Sequence, residues 1–127
     1  RLAFLQAESY RQDSRPGGLE LGLGPPEAEI RGRRILLVDD ILDSGRTLAA
    51  IRARILAAGA RDVRVCTLLD KPARRAVAFE AEHVGFRVED HFVVGYGLDF
   101  AGRYRNLPYV GILRSEVLAR AAKEGGP

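Results

Sequence analysis

Residues 35–47 read ILLVDDILDSGRT. The opening run, ILLV, is continuous, apolar and β-compatible, as a strand buried on both faces of a parallel sheet requires. It delivers Asp39 and Asp40 to the C-terminal end of that strand, where aspartate is disfavoured on propensity. The turn DSGRT then opens a helix. Leu48, Ile51 and Ile55 fall on one face, Arg52 and Arg54 point away, and Gly59 supplies the stop. VRVCTLL (63–69) reads as the next strand. Strand, helix, strand across 35–69 is a βαβ unit, so the chain is expected to be α/β with a parallel sheet flanked by helices.

The same stretch carries chemistry. An open α/β sheet places its ligand beyond the C-terminal ends of its strands. Gly45 permits backbone conformations closed to other residues. Amides at a helix start carry partial positive charge and, with the hydroxyls of Ser44 and Thr47, suit a phosphate. Arg46 either adds charge there or faces solvent. Asp39 and Asp40 are placed to accept hydrogen bonds from vicinal hydroxyls. A ribose 5-phosphate satisfies both devices at once. Plain N-capping would explain Asp43 or Ser44, but not a pair of aspartates at a strand end.

Composition narrows the class. The chain has 127 residues, 46% hydrophobic and 29% charged, which fits one soluble globular domain. No apolar run approaches the ~20 residues of a membrane span, and no signal-peptide pattern is present. The single cysteine, Cys66, lies in an apolar run and reads as an inert thiol in a reducing cytoplasm. His83 and His91 have no partner at metal-ligand spacing. The sequence begins at Arg1 and contains no methionine, so more chain is expected upstream. The pI is about 9.4, but the arginines are dispersed without aromatic interleaving. A polyanionic small molecule accounts for the charge as well as nucleic acid does. Eighteen of the 20 basic residues are arginine; Lys123 lies in a polar tail and Lys71 in the body of the chain. Lys71 is there either by chance or because its place wants a compact ammonium rather than a planar fork.

Elsewhere, LAFLQAESY (2–10) reads as a strand, 11–18 as a loop and LELGLG (19–24) as an exposed strand. Residues 25–34 read as a turn and connector. KPARRAVAFEAEH (71–83) is a loop or short helix. VGFRV (84–88), HFVVGYG (91–97) and YVGIL (109–113) read as strands, and SEVLARAAKE (115–124) as a terminal helix.

VDDILDSGRT (38–47) resembles the phosphoribosyl-diphosphate binding motif of type I phosphoribosyltransferases. LLDKP (68–72) and HFVVGYGLDFAGRYRNLPYVGIL (91–113) resemble their hypoxanthine/guanine members. The resemblance implies that Asp39 and Asp40 contact the ribose hydroxyls. Asp43, Ser44, Gly45, Arg46 and Thr47 would wrap the 5-phosphate, with Asp43 also near the base N7 as general acid/base. Lys71 would meet the purine 6-oxo group; an ammonium there rejects adenine, whose 6-amino group is a donor. Phe92 would stack on the purine, Val93 would meet its edge through the backbone, and Leu98 and Asp99 would lie nearby. Asp99 would also hold Mg2+, directly or through water, and Arg105 would sit near the leaving diphosphate. Ser9 and Tyr10 would begin a lid over 9–20.

The implied activity is transfer of 5-phosphoribosyl to N9 of hypoxanthine or guanine, giving IMP or GMP. The implied setting is a cytoplasmic homodimer or homotetramer, without membrane or nucleic-acid partners. Two other readings stand beside it: an RNA-binding pyrimidine-operon regulator of the same fold, and a nucleotide-binding fragment without turnover. The resemblance covers 1–116. It implies a single partial domain over 1–127, with a terminal helix and tail at 117–127. The sheet would be incomplete at its N-terminus, because the family's early strands and a helix have no counterpart here, and neither does its diphosphate-binding lysine-glycine loop.

Overall fold

The computed structural model describes residues 1–9, 19–21 and 24–123. The chain divides into two units, Arg1–Arg87 and Val88–Pro127.

The first unit opens with a hairpin of β1 (Ala7–Ser9) and β2 (Leu19–Leu21). They pair antiparallel, with Ser9 opposite Leu19. After α1 (Glu27–Ile30) come β3 (Arg34–Leu42), α2 (Arg46–Ala57), β4 (Asp62–Asp70), a 3-10 turn at Pro72–Arg74 and β5 (His83–Arg87). The sheet order is β3-β4-β5 and both pairings are parallel. The βαβ unit expected from 35–69 is thus present.

Helix α2 forms because its sequence, RTLAAIRARILA, is rich in alanine, leucine and arginine, all strong helix formers. Leu48, Ile51 and Ile55 are buried along one stripe. Burying side chains of this size contributes about 1.5–3 kcal/mol each. Ile51 and Ile55 pack with Ile30 and Val63; Leu48 packs with Leu42, Val65 and Phe79. The helix ends in a Schellman motif. The Gly59 amide donates to Leu56 O at 2.9 Å and the Ala60 amide to Ile55 O at 3.3 Å, with Gly59 at φ +90°.

Three expectations are corrected. The ILLV run is covered on one face only: Leu36 is 56% and Val38 67% exposed, while Ile35 and Leu37 pack toward the core. Among the described residues, the helices of this unit cover a single side of the sheet. Residues 25–34 include the helical turn α1, which buries Ile30. Among the described residues of the strand expected over 2–10, only Ala7–Ser9 are regular, and Leu2 and Phe4 are exposed. Tyr10 and the loop 11–18 lie outside the described residues.

In the second unit, β6 (Val93–Val94) pairs antiparallel with β7 (Gly111–Ile112), followed by α3 (Ser115–Lys123). The strands expected over 91–97 and 109–113 shrink to these pairs. The reason is local: Gly95, Tyr96 and Gly97 all take positive φ, which no strand continues through. Gly95 is also irreplaceable sterically, since a Cβ there would lie 2.1 Å from Tyr109 O.

Candidate active site

Strand β3 continues past its apolar residues and carries Asp39 and Asp40 to its C-terminal part. Asp39 Oδ1 accepts the Asp40 amide at 3.0 Å. Burial pushes the Asp39 carboxyl above the usual carboxylate range, and the adjacent Asp40 charge raises it further; the Asp40 amide works against both. A site that crowds two carboxylates at such a cost suits hydroxyl donors or a cation.

The turn follows. Gly45 is the N-cap of α2, at φ +80°, and no side chain caps the helix. The Arg46 amide lies 3.4 Å from Ser44 Oγ, and the Ala49 amide donates to Gly45 O at 2.9 Å. With the Arg46 amide donating to Ser44 Oγ, the amides of Thr47 and Leu48 remain for a ligand. Capping by Asp43 does not occur. Instead Asp43 Oδ1 is buried without a hydrogen-bond donor among the described residues, and Arg74 Nε stands 3.7 Å away. Arg46 is exposed and Thr47 half-buried.

Behind the turn runs the segment after β4. Lys71 is 6% exposed, and its amide donates to Leu42 O at 2.9 Å. Arg75 donates through Nη1 to Leu42 O at 3.3 Å and to Asp43 O, and through Nη2 to Asp70 Oδ1. The Ala76 amide donates to Ser44 O at 2.9 Å. Asp39, Asp40, the 43–47 turn and Lys71 thus belong to one unit, at the same end of adjacent strands. A cavity of about 610 Å³ opens beside this segment, lined in part by Asp70, Pro72, Arg75, Phe79 and Arg87. It includes none of the expected substrate residues.

Sequence reading missed Arg75 and Asp70. Nothing in the pattern separates Arg75 from 17 other arginines; only its hydrogen bonds do. Thr67, the register partner of Asp39, is also buried, with no partner for its hydroxyl among the described residues.

The second unit carries the other expected residues. Phe92 is 41% exposed and meets Phe100 edge-on, with centroids 5.2 Å apart. Val93 is buried and sits opposite Ile112 in the β6–β7 ladder. The Leu98 amide donates to Gly95 O at 3.0 Å and Leu98 O accepts the Gly95 amide at 2.9 Å, closing a tight turn. Asp99 Oδ2 accepts the Gly102 amide at 2.8 Å, and Asp99 Oδ1 pairs with Arg105 Nη2 at 2.8 Å.

The phosphoribosyl transferase domain family matches residues 1–101. The chain is 48% identical to a bifunctional protein TilS/HprT from Listeria innocua over 114 residues, which are 90% of this chain and 18% of that one. It is 40% identical to a hypoxanthine-guanine phosphoribosyltransferase from Streptococcus pyogenes over 117 residues, 92% of this chain and 65% of that one. A solved structure of a Trypanosoma cruzi hypoxanthine phosphoribosyltransferase variant, complexed with the product IMP, superposes with TM-score 0.83 at 33% identity. That match covers 94% of this chain and 60% of the other. The chain therefore spans less than two thirds of the relatives it matches. An α/β sheet with the acidic strand end and glycine turn of that family, and a family match over four fifths of its length, place this chain in the phosphoribosyl transferase domain family.

Proposed function

We propose that this chain provides the phosphoribosyl-diphosphate and purine subsites of a hypoxanthine/guanine phosphoribosyltransferase acting in purine salvage. The observation that carries the proposal is the uncapped, glycine-headed start of α2 directly after the Asp39–Asp40 strand end. It offers amides for a phosphate and carboxylates for a diol in one continuous stretch. The relatives described above, named as phosphoribosyltransferases, support this reading over an RNA-binding regulator.

In the reaction, the bond from ribose C1 to the diphosphate oxygen breaks as a bond from C1 to purine N9 forms on the opposite face. Asp39 and Asp40 hold the ribose hydroxyls, and residues 43–47 hold the 5-phosphate. Together they fix C1 in line with the incoming nitrogen. Asp43, whose Oδ1 receives no hydrogen bond among the described residues and faces Arg74 Nε at 3.7 Å, is the acceptor for the purine N7 proton. The Lys71 ammonium donates to the 6-oxo group and favours its growing negative charge. Phe92 supplies an aromatic face, Val93 and Leu98 shape the purine contact, and Arg105 supports the leaving diphosphate.

Asp99 suits a water-mediated role toward Mg2+, because both its oxygens already accept hydrogen bonds. The ion, when bound, neutralises the diphosphate while keeping most of its own water. The hairpin joins Ser9 to Leu19, so it brings together the ends of the segment that includes Tyr10. We assign 9–20 as the lid that keeps water from the oxocarbenium-like centre. The proposal also includes one domain over 1–127 with its tail at 117–127, a cytoplasmic setting, and pairing as a homodimer or homotetramer.

The test is a transfer assay with 5-phosphoribosyl-1-diphosphate and each of hypoxanthine, guanine, xanthine, adenine and uracil, run on the full-length protein. Turnover of the 6-oxopurines is expected. Activity confined to adenine or uracil would exclude the Lys71 assignment.

A further inference from the structure

The carbonyl side of the phosphate turn is captured by a single short segment. Leu42 O receives the Lys71 amide at 2.9 Å and Arg75 Nη1 at 3.3 Å; Asp43 O also receives Arg75 Nη1; Ser44 O receives the Ala76 amide at 2.9 Å. All peptide bonds described are trans. In a trans peptide the N–H points opposite to the C=O of the same plane. Holding three consecutive carbonyls on one side therefore turns the amides of Asp43, Ser44 and Gly45 to the other side, away from the segment.

Arg75 is itself braced. Its Nη2 donates to Asp70 Oδ1, and the two side chains are only 17% and 8% exposed. Arg87 Nε reaches the second Asp70 oxygen at 3.8 Å. The Arg75 stem also lies against the turn: a Cβ on Gly45 would stand 3.1 Å from Arg75 Cδ. A planar guanidinium holds two carbonyls with one nitrogen and a carboxylate with another in a fixed fork, a spread that the single nitrogen of an ammonium on a flexible stem does not offer.

We infer that Arg75 is a positioning residue for the phosphate subsite. Braced by Asp70, it grips the carbonyls of Leu42 and Asp43 and so aims the amides of the turn at the sugar 5-phosphate. The inference rests on the phosphoribosyl reading of the turn. It adds that phosphate affinity is set by a guanidinium that never touches the phosphate. The same segment carries Lys71, so the purine and phosphate subsites share one backbone support.

The test is calorimetric titration of the full chain with IMP and with inosine, which lacks the phosphate. Wild type, Arg75→Lys and Asp70→Asn are compared, with circular dichroism to confirm folding. Wild type is expected to prefer IMP. Arg75→Lys should bind IMP roughly ten- to hundredfold more weakly, the loss expected for charge-assisted hydrogen bonds, with inosine affinity unchanged. Asp70→Asn should move in the same direction by less. A folded Arg75→Lys protein that keeps the wild-type ratio of IMP to inosine affinity overturns the inference and leaves the phosphoribosyl reading standing. Should Arg75→Lys not fold, an unchanged ratio in Asp70→Asn overturns it equally. A wild-type chain that does not distinguish IMP from inosine defeats the phosphate reading itself, and the inference with it.

Discussion

Asp99 and Arg105 neutralise each other within the second unit, with Arg105 Nη2 2.8 Å from Asp99 Oδ1. Arg105 Nη1 also donates to Gly97 O at 2.8 Å, and the Gly102 amide occupies Asp99 Oδ2. The pair thus ties down a loop in which Tyr96, Ala101 and Tyr104 all take positive φ. Arg105 is 61% exposed at the side chain, so the pair contributes only about 0–1 kcal/mol to stability. Arg105→Gln should accordingly leave the melting temperature nearly unchanged. On the proposed transferase reading, it should lower kcat of the full-length protein roughly a hundredfold, the scale for losing a charge that stabilises a leaving group. Thermal melts set beside steady-state kinetics check both halves.

Glu82 stands in for a missing strand residue. The β4–β5 ladder begins at Cys66, and just before it Glu82 Oε2 accepts the Val65 amide at 2.7 Å. Arg52 on α2 pairs with Oε1 at 2.8 Å and lies over the Phe79 ring. Burial alone would raise the Glu82 carboxyl, but the Val65 amide, then Glu82's own amide and then Arg52 outweigh it and hold it below the usual glutamate range. A lowered carboxyl contributes stability that is complete above its unfolded-state pKa and lost as pH falls through the folded-state pKa. Glu82→Gln should therefore weaken the chain at neutral pH and flatten the acid limb of its stability curve. Urea denaturation from pH 7 down to pH 3 reads this directly. An acid limb as steep as wild type would contradict it.

Asp39 titrates with the opposite sign. Its carboxyl is raised by burial and then by Asp40, so the folded state holds the proton more tightly than the unfolded chain does. Stability from this group is greatest below its unfolded pKa and declines as pH rises through the folded one. Asp39→Asn should raise the melting temperature of the ligand-free chain at neutral pH, yet weaken IMP binding. In Asp40→Asn the pH below which wild-type IMP binding declines should move downward, because one raising cause is gone. Melting curves and pH-dependent titrations separate these effects.

Gly45→Ala tests the turn. The added methyl meets Arg75 Cδ at 3.1 Å, Val77 Cγ2 at 3.2 Å and Phe79 Cβ at 3.3 Å, on a backbone at φ +80°. The left-handed conformation alone costs about 1–2 kcal/mol for a residue with a Cβ. Denaturant midpoints should fall by that amount or more. Affinity for IMP should fall further than affinity for inosine, because the strain sits in the phosphate turn.

What the sequence determined was local. The apolar run before Asp39, the stripe of Leu48, Ile51 and Ile55, and the glycine after α2 each act within a few residues. Their spacing therefore announced strand, helix and stop, and with them the turn at Gly45. The tertiary structure alone decided what depends on distant partners. Arg75 reaches back to Leu42 and Asp43 across about 30 positions, and Glu82 finds Val65 across 17. Leu36 and Val38 lie on the side of the sheet that the helices of their unit leave uncovered. Gly95 bends the chain against Tyr109, which cut short an expected strand. Periodicity says which face of an element is apolar, but not which groups fold over to meet it; those pairings arise only when chain segments far apart in sequence are packed together.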